Sequence, residues 1–187
     1  SRQFEAMIQR LVAYRIVEAY PDSQYYSLHS LIRTHYALQQ QEENSEWVKT
    51  VHRRIADFYQ KMTVIPQQPT LSDLTPLVEA VHHHCQAGDY DQAYEILQYR
   101  VYQGYPRRVL IDQLGAYDTA LTLLQDFFPE SDITQNPQVS SQAGQRWIFN
   151  EIGLCLTNLG RLAEAPSLYE QNVVCCIKAE DWVNASI

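Results

Sequence analysis

The chain has 187 residues, room for one ordinary domain or two small ones. Fourteen Lys and Arg face 22 Asp and Glu, a net charge of −8, and 45% of residues are apolar. This is too apolar for intrinsic disorder and too acidic for broad nucleic-acid binding, which needs a dense basic patch. No apolar run nears the roughly 20 residues that span a bilayer, and the first residues carry no apolar signal core.

Phe4, Met7, Ile8 and Leu11 recur at helical spacing and predict a helix over 3–13. Tyr14–Tyr20 is rich in strand formers, Pro21-Asp22-Ser23 is turn chemistry, and Gln24–Leu28 resumes a strand, so a β-hairpin is expected. Ser30 is placed to cap a helix over about 31–41 carrying Leu31, Ile32, His35 and Leu38. After the polar joint 39–45, Trp47, Val51, Ile55, Phe58 and Met62 mark a helix near 46–63, which Pro66 and Pro69 break. Ser72 or Asp73 is then expected to cap a helix carrying Leu74, Leu77, Val78, Val81 and Cys85, closed by Ala87-Gly88-Asp89. A further helix is expected over about 90–102.

From there the chain repeats itself. Ala87–Ala93, Leu114–Ala120 and Leu159–Ala165 each place a large apolar residue two positions after a Gly and an Ala five positions after it. A helical hairpin needs this pattern. Gly takes the left-handed conformation that ends the first helix, the large residue starts the second against its partner, and Ala sits where the helices cross closely. The glycines stand 27 and 45 residues apart, together 72, or twice 36. Periods near 34 belong to helical-hairpin repeats.

The last unit resembles a tetratricopeptide repeat (TPR). Phe149, Ile152, Gly153, Leu156, Gly160, Leu162, Ala165 and Tyr169 follow the consensus W-x2-L-G-x2-Y…G-x-Y-x2-A-x3-Y/F in order, with Phe149 and Leu156 in place of Trp and Tyr. Asn172 replaces a usual Ala, and the closing Pro is missing. The middle unit departs more, with a short first helix expected to hold Gly104, Tyr105 and Pro106. Glu180–Ala185 resembles the truncated start of another repeat.

A second resemblance covers the first third. Tyr26-Ser27-Leu28-His29-Ser30-Leu31-Ile32-Arg33 is similar to the segment Y-x-[ML]-H-D-L-[LVI]-R that closes the winged helix of STAND signalling ATPases, the NB-ARC relatives, and His52–Tyr59 is similar to the helix that follows in bacterial members. Together the two resemblances imply an all-α fold, a TPR-like helical-hairpin superhelix behind a winged-helix remnant with one β-hairpin. Its parts are the end of a winged helix over 1–41, a helical linker and degenerate hairpins over 42–130, and a TPR with the start of the next over 140–187. Both ends then read as cuts from something longer.

The resemblance implies that His29 contacts the β-phosphate of ADP in the intact parent, with Ser30 in place of the usual Asp. Within this chain, which holds no nucleotide-binding domain, burial or local capping is the favoured reading of His29, and no cofactor is expected. ADP or ATP belongs to the parent. Arg33 is expected to pair with an acidic neighbour. His82-His83-His84-Cys85 has the look of a metal cluster, but on a helix only His82 and Cys85 share a face and no second cluster is present. Core packing is the expectation for His84. The four cysteines, Cys85, Cys155, Cys175 and Cys176, form no disulfide framework and are expected to be inert thiols of a reducing, cytoplasmic compartment.

There is no P-loop, no G-x-S-x-G and no Gly-rich loop, so no enzyme is expected. Arg53-Arg54 and Arg107-Arg108 are doublets too small for a nucleic-acid footprint. On the first helix of the last hairpin, Asn150, Glu151, Leu154, Thr157 and Asn158 are expected to line the concave face of a superhelix and meet a protein or peptide. The resulting expectation is a non-catalytic sensor module relaying partner binding to an upstream nucleotide-binding domain. Its alternatives are a TPR adaptor without an ATPase and a regulator whose winged helix touches DNA; an enzyme using a metal at His82–Cys85 is the weakest reading.

Overall fold

The computed structural model describes residues 2–19, 26–28, 34, 45–164, 169, 170, 173 and 177. These are mainly helical, with one small two-stranded antiparallel sheet. The chain divides into two compact units, Ser1–Val48 and Lys49–Ile187.

In the first unit, α1 (Arg2–Ala13) packs on β1 (Val17–Ala19), which pairs with β2 (Tyr26–Leu28). The register sets Val17 opposite Leu28 and Ala19 opposite Tyr26. The hairpin is where the sequence places it, but its first strand starts three residues later than expected. Residues 14–16 close α1 instead: Arg15 N–H donates to Val12 O (2.9 Å) and Ile16 N–H to Leu11 O (3.0 Å), with Arg15 at φ 55°. This pair of bonds is the Schellman closure, here with Arg where Gly is usual. His29, Ser30, Arg33 and nearly all of the expected 31–41 helix lie outside the described residues.

The second unit begins with nearly all of α2 (Ser45–Met62) and continues with α3 (Leu71–Ala87). The cap of α3 is Thr70, two residues before the expected pair. Asp73 is its partner: Thr70 Oγ1 accepts from Asp73 N–H, and Asp73 Oδ2 accepts from Thr70 N–H. The reciprocal pair is a capping box. The C-terminus follows the sequence. Gly88, at φ 79°, donates its N–H to Cys85 O, and Asp89 N–H donates to His84 O.

The expected 90–102 helix forms in two parts. α4 (Tyr90–Glu95) runs into a π-helical turn, Ile96–Val101, where Tyr102 N–H reaches back five residues to Leu97 O. A second π-helical turn, Val109–Gln113, precedes α5 (Tyr117–Gln125); a short 3₁₀ turn, Pro129–Ser131, and then α6 (Gln142–Asn158) follow. Gly104, Tyr105 and Pro106 therefore stand in the loop between the π turns, not in a helix, and the Tyr105–Pro106 peptide is cis.

The core of this unit gathers Leu77 and Val81 from α3, Leu97 and Leu110 from the π turns, Leu124 from α5 and Ile152 from α6, all buried. α3 packs on α4, and α5 on α6. Ala93 and Ala120, the two described alanines of the repeated pattern, are fully buried, and Tyr90 and Tyr117 pack against the core. The third copy differs. Leu162 is exposed because 162–164 form a turn rather than a helix, and Ala165 lies outside the described residues. Gly153 is buried on α6, and a Cβ there would meet the Tyr169 ring at 2.7 Å, so these two consensus positions are in close approach.

The apolar stripe of α2 is only partly buried: Val51 and Ile55 are half-buried. Trp47, Phe58 and Met62 are exposed, Ala56 is buried, and Arg53, His52 and Gln60 bond to side chains at or just beyond α3. Arg53 grips Asp89 with Nε (2.7 Å) and Nη2 (3.0 Å), tying α2 to the second residue after α3. No described helix is long and apolar enough to cross a membrane.

Candidate functional site

Two groups of polar side chains are set into the second unit. The first lies between α2 and α3. His52 Nδ1 and His83 Nδ1 are 2.7 Å apart, so one ring donates and the other must be a neutral acceptor. Burial lowers the pKa of both, that of His83 to about 4, with the neighbouring imidazoles adding to the effect. His82 faces the other way. Its Nδ1 donates to Asp126 Oδ2 (2.7 Å), a bond that raises its pKa against the opposing effect of burial. His84 is buried. With the Gln60 amide nitrogen donating to its Nε2 (2.8 Å), its proton sits on Nδ1, 3.8 Å from Asp89 Oδ2 and unbonded.

Cys85, beside His84, is buried in the core, and burial pushes its thiol well up. The four consecutive residues His82–Cys85 thus face three directions, with His83 and His84 both against α2. No three or more His, Cys, Asp or Glu among the described residues are placed to hold a metal. A shallow hollow of about 470 Å³ between α3 and α5 is lined by His82, Asp118 and Asp126 among others.

The second group lies where the loop between the π turns meets α6. Arg108 begins the second π turn at φ 37°, ψ 51°, a left-handed conformation that costs a side-chain-bearing residue about 1–2 kcal/mol. The reward is contact with α6: Arg108 Nη2 donates to Glu151 Oε1 (2.9 Å) and Oε2 (3.0 Å), and its Nε lies 3.9 Å from Asp112. The Glu151 side chain is only 8% exposed. Burial raises its pKa and Arg108 opposes the rise.

Tyr102 is 1% exposed, and its hydroxyl has no hydrogen-bond partner. It lies near enough to Glu151 to help hold that carboxyl down, without a bond of good geometry. Burial, then the Glu151 charge, keeps the phenol protonated far above its ordinary range. Trp147, one turn before Glu151 on α6, meets the Tyr102 ring edge-on at 5.1 Å and the Tyr94 ring at 5.5 Å. Tyr102, Trp147, Glu151 and Arg108, with Gln98 and Tyr105, line a cavity of about 290 Å³.

Of the residues nominated from sequence, Asn150 is exposed on α6, and Leu154 is half-buried against the core. Thr157 and Asn158 are exposed, but each donates to its own helix: Thr157 Oγ1 to Gly153 O (2.8 Å) and Asn158 Nδ2 to Leu154 O (2.9 Å). Glu151 is brought not to an open face but to the wall of the cavity. Sequence reading missed Tyr102, Trp147 and the role of Arg108, which it saw only as half of a basic doublet. The available signal was Trp147 standing four residues before Glu151, on the same helical face.

No protein-family model matches the chain, and no curated protein and no solved structure is significantly similar to it.

Proposed function

We propose that this chain is the sensor region of a STAND-type signalling ATPase. In this reading it is a non-catalytic, cytoplasmic protein-interaction module whose TPR-like hairpins receive a protein or peptide. Binding then shifts an upstream nucleotide switch between closed ADP-bound and open ATP-bound populations. The observation that supports it most is the punctuation of the hairpins. Gly88, Gly115 and Gly160 all have left-handed backbones, and buried Ala93 and Ala120 follow the first two at the same offset. The close approach of Gly153 to Tyr169 adds to this. Asn150, Glu151, Leu154, Thr157 and Asn158 are the residues offered to a partner, and His29 the contact to ADP phosphate in the parent.

The test uses the full-length protein. It is purified gently and denatured, and the released nucleotide is quantified by chromatography. Close to one ADP per chain, lost in His29→Ala, is the expected result. A folded protein that releases no nucleotide refutes the switch and leaves a TPR adaptor with no ATPase.

A further inference from the structure

We propose that the cavity between the π-turn loop and α6 is a binding site for an organic ammonium group carried on an alkyl stem. It is walled by Trp147, Tyr102 and Tyr105 and floored by Glu151. The proposal goes beyond the sensor reading and does not require a nucleotide switch.

Four observations carry it. The cavity holds about 290 Å³, small for a drug-sized ligand and suited to a single side chain or a short amine. Three of its walls are aromatic, and ring faces attract cations electrostatically, most strongly at indole. The Trp147 ring is held by edge contacts to Tyr94 and Tyr102, while Tyr105 stands at the rim 91% exposed.

The charge count favours a cation over an anion. Arg108 is the one positive group on the wall, and it faces two carboxylates, Glu151 at 2.9 Å and Asp112 at 3.9 Å. An arriving anion would meet a guanidinium already more than neutralised, beside a buried carboxylate that repels it. On the wall itself Arg108 and Glu151 cancel, and Asp112, outside the lining but 3.9 Å from Arg108, supplies the residual charge of about −1 that attracts an arriving ammonium, more strongly in a partly desolvated pocket than in water. The single Arg108 nitrogen bonded to Glu151 leaves the carboxylate oxygens with unused lone pairs.

Finally, Tyr102 lines this cavity, and its buried hydroxyl makes no hydrogen bond of good geometry. Such groups are rare in folded proteins and each calls for an explanation. An ammonium has three N–H donors, and the phenol oxygen beside Glu151 is an acceptor for one of them.

The same chemistry has two sources, a lysine side chain of a protein partner and a free alkylamine. The full chain would be titrated, without nucleotide, with n-butylammonium chloride, Nα-acetyl-lysine N-methylamide, n-butanol and sodium butyrate, following the Trp147 indole N–H resonance. The expected result is saturable binding of both ammonium compounds with Kd of about 1 mM or tighter, and no saturation by butanol or butyrate. Tighter binding of the lysine derivative assigns the source to a partner's lysine; equal or tighter binding of butylammonium assigns it to a free amine. Glu151→Gln should weaken binding at least about tenfold. Should that variant fold poorly, Tyr105→Ala decides, because its exposed ring is not needed for the fold: several-fold weaker binding with an unchanged circular dichroism spectrum supports the site. Butanol or butyrate binding as well as the amines, or Tyr105→Ala binding them undiminished, overturns it. Failure here leaves the sensor reading intact, and absence of ADP in the parent leaves this site intact.

Discussion

Arg108→Ala is the most informative single change. It removes both bonds to Glu151 and leaves that carboxylate, 8% exposed, without its cation. Breaking a buried pair from one side costs about 3–5 kcal/mol. The neighbouring cavity lets water approach, which favours the lower end, about 3 kcal/mol. The alanine also keeps the left-handed backbone of position 108. Arg108→Gly loses the same ion pair but relieves about 1–2 kcal/mol of that strain. The glycine variant should therefore be the more stable of the two, a reversal of the usual order. Removal from the other side is milder. Arg108 is 28% exposed and can turn toward Asp112, so Glu151→Gln should cost about 1–3 kcal/mol.

The pH dependence separates this account from simple loss of packing. Burial already holds the Glu151 pKa above its ordinary 4.5, and deleting Arg108 removes the main opposing influence. The folded pKa then rises further above the unfolded one. Such a group is fully stabilising below the unfolded pKa, and its contribution drains as pH climbs through the folded pKa, because the folded state holds the proton longer. The deficit of Arg108→Ala should thus widen from about pH 4.5 upward. Urea denaturation followed by tryptophan fluorescence, repeated across pH, measures it. A deficit that is flat with pH, or a glycine variant no better than the alanine, would refute the reasoning.

Three further outcomes are expected. Gly88→Ala should cost about 1–2 kcal/mol from backbone strain alone, since φ is 79° and a Cβ there meets nothing within 4 Å; Gly88→Asn should cost less, and equal stability of all three in urea would contradict a left-handed turn. His83, with its pKa lowered to about 4, contributes stability that is full above the unfolded 6.5 and drains as pH falls toward 4, so His83→Gln should flatten the acid side of a Tm–pH profile. His82, with its pKa raised by Asp126, contributes in the opposite sense, fully below 6.5 and lost as pH rises through its folded value, so His82→Gln should lose most on the acid side.

The helix ends at Gly88 and before Pro66 were legible because punctuation residues act locally: one backbone angle or one missing donor decides them. The start of β1 was not, because Arg15 adopts φ 55° without the glycine that announces such a turn. The stripe on α2 was legible as a pattern, but the polar contacts of α2 were not. Spacing tells which residues share a face, but not that Arg53 reaches Asp89 or His52 reaches His83, pairings 36 and 31 residues apart. The candidate site divides in the same way. Glu151 could be nominated from its place on α6, but its partner lies 43 residues earlier in a loop.

The middle unit departs from the repeat pattern at the same place where the cavity forms, and both have one physical origin. A π turn reaches back five residues instead of four, so each widened turn rotates the following side chains off the helical register. The first places Tyr102 and the second follows directly from Arg108, and the loop between them occupies the chain length a regular first helix would have used. A continuous helix over 96–113 would instead have set positions 102 and 108 on faces about 120° apart, by the 3.6-residue period, with no shared wall against Glu151. The irregularity that blurs the repeat in the sequence is therefore what brings an aromatic ring, a guanidinium and a buried carboxylate together.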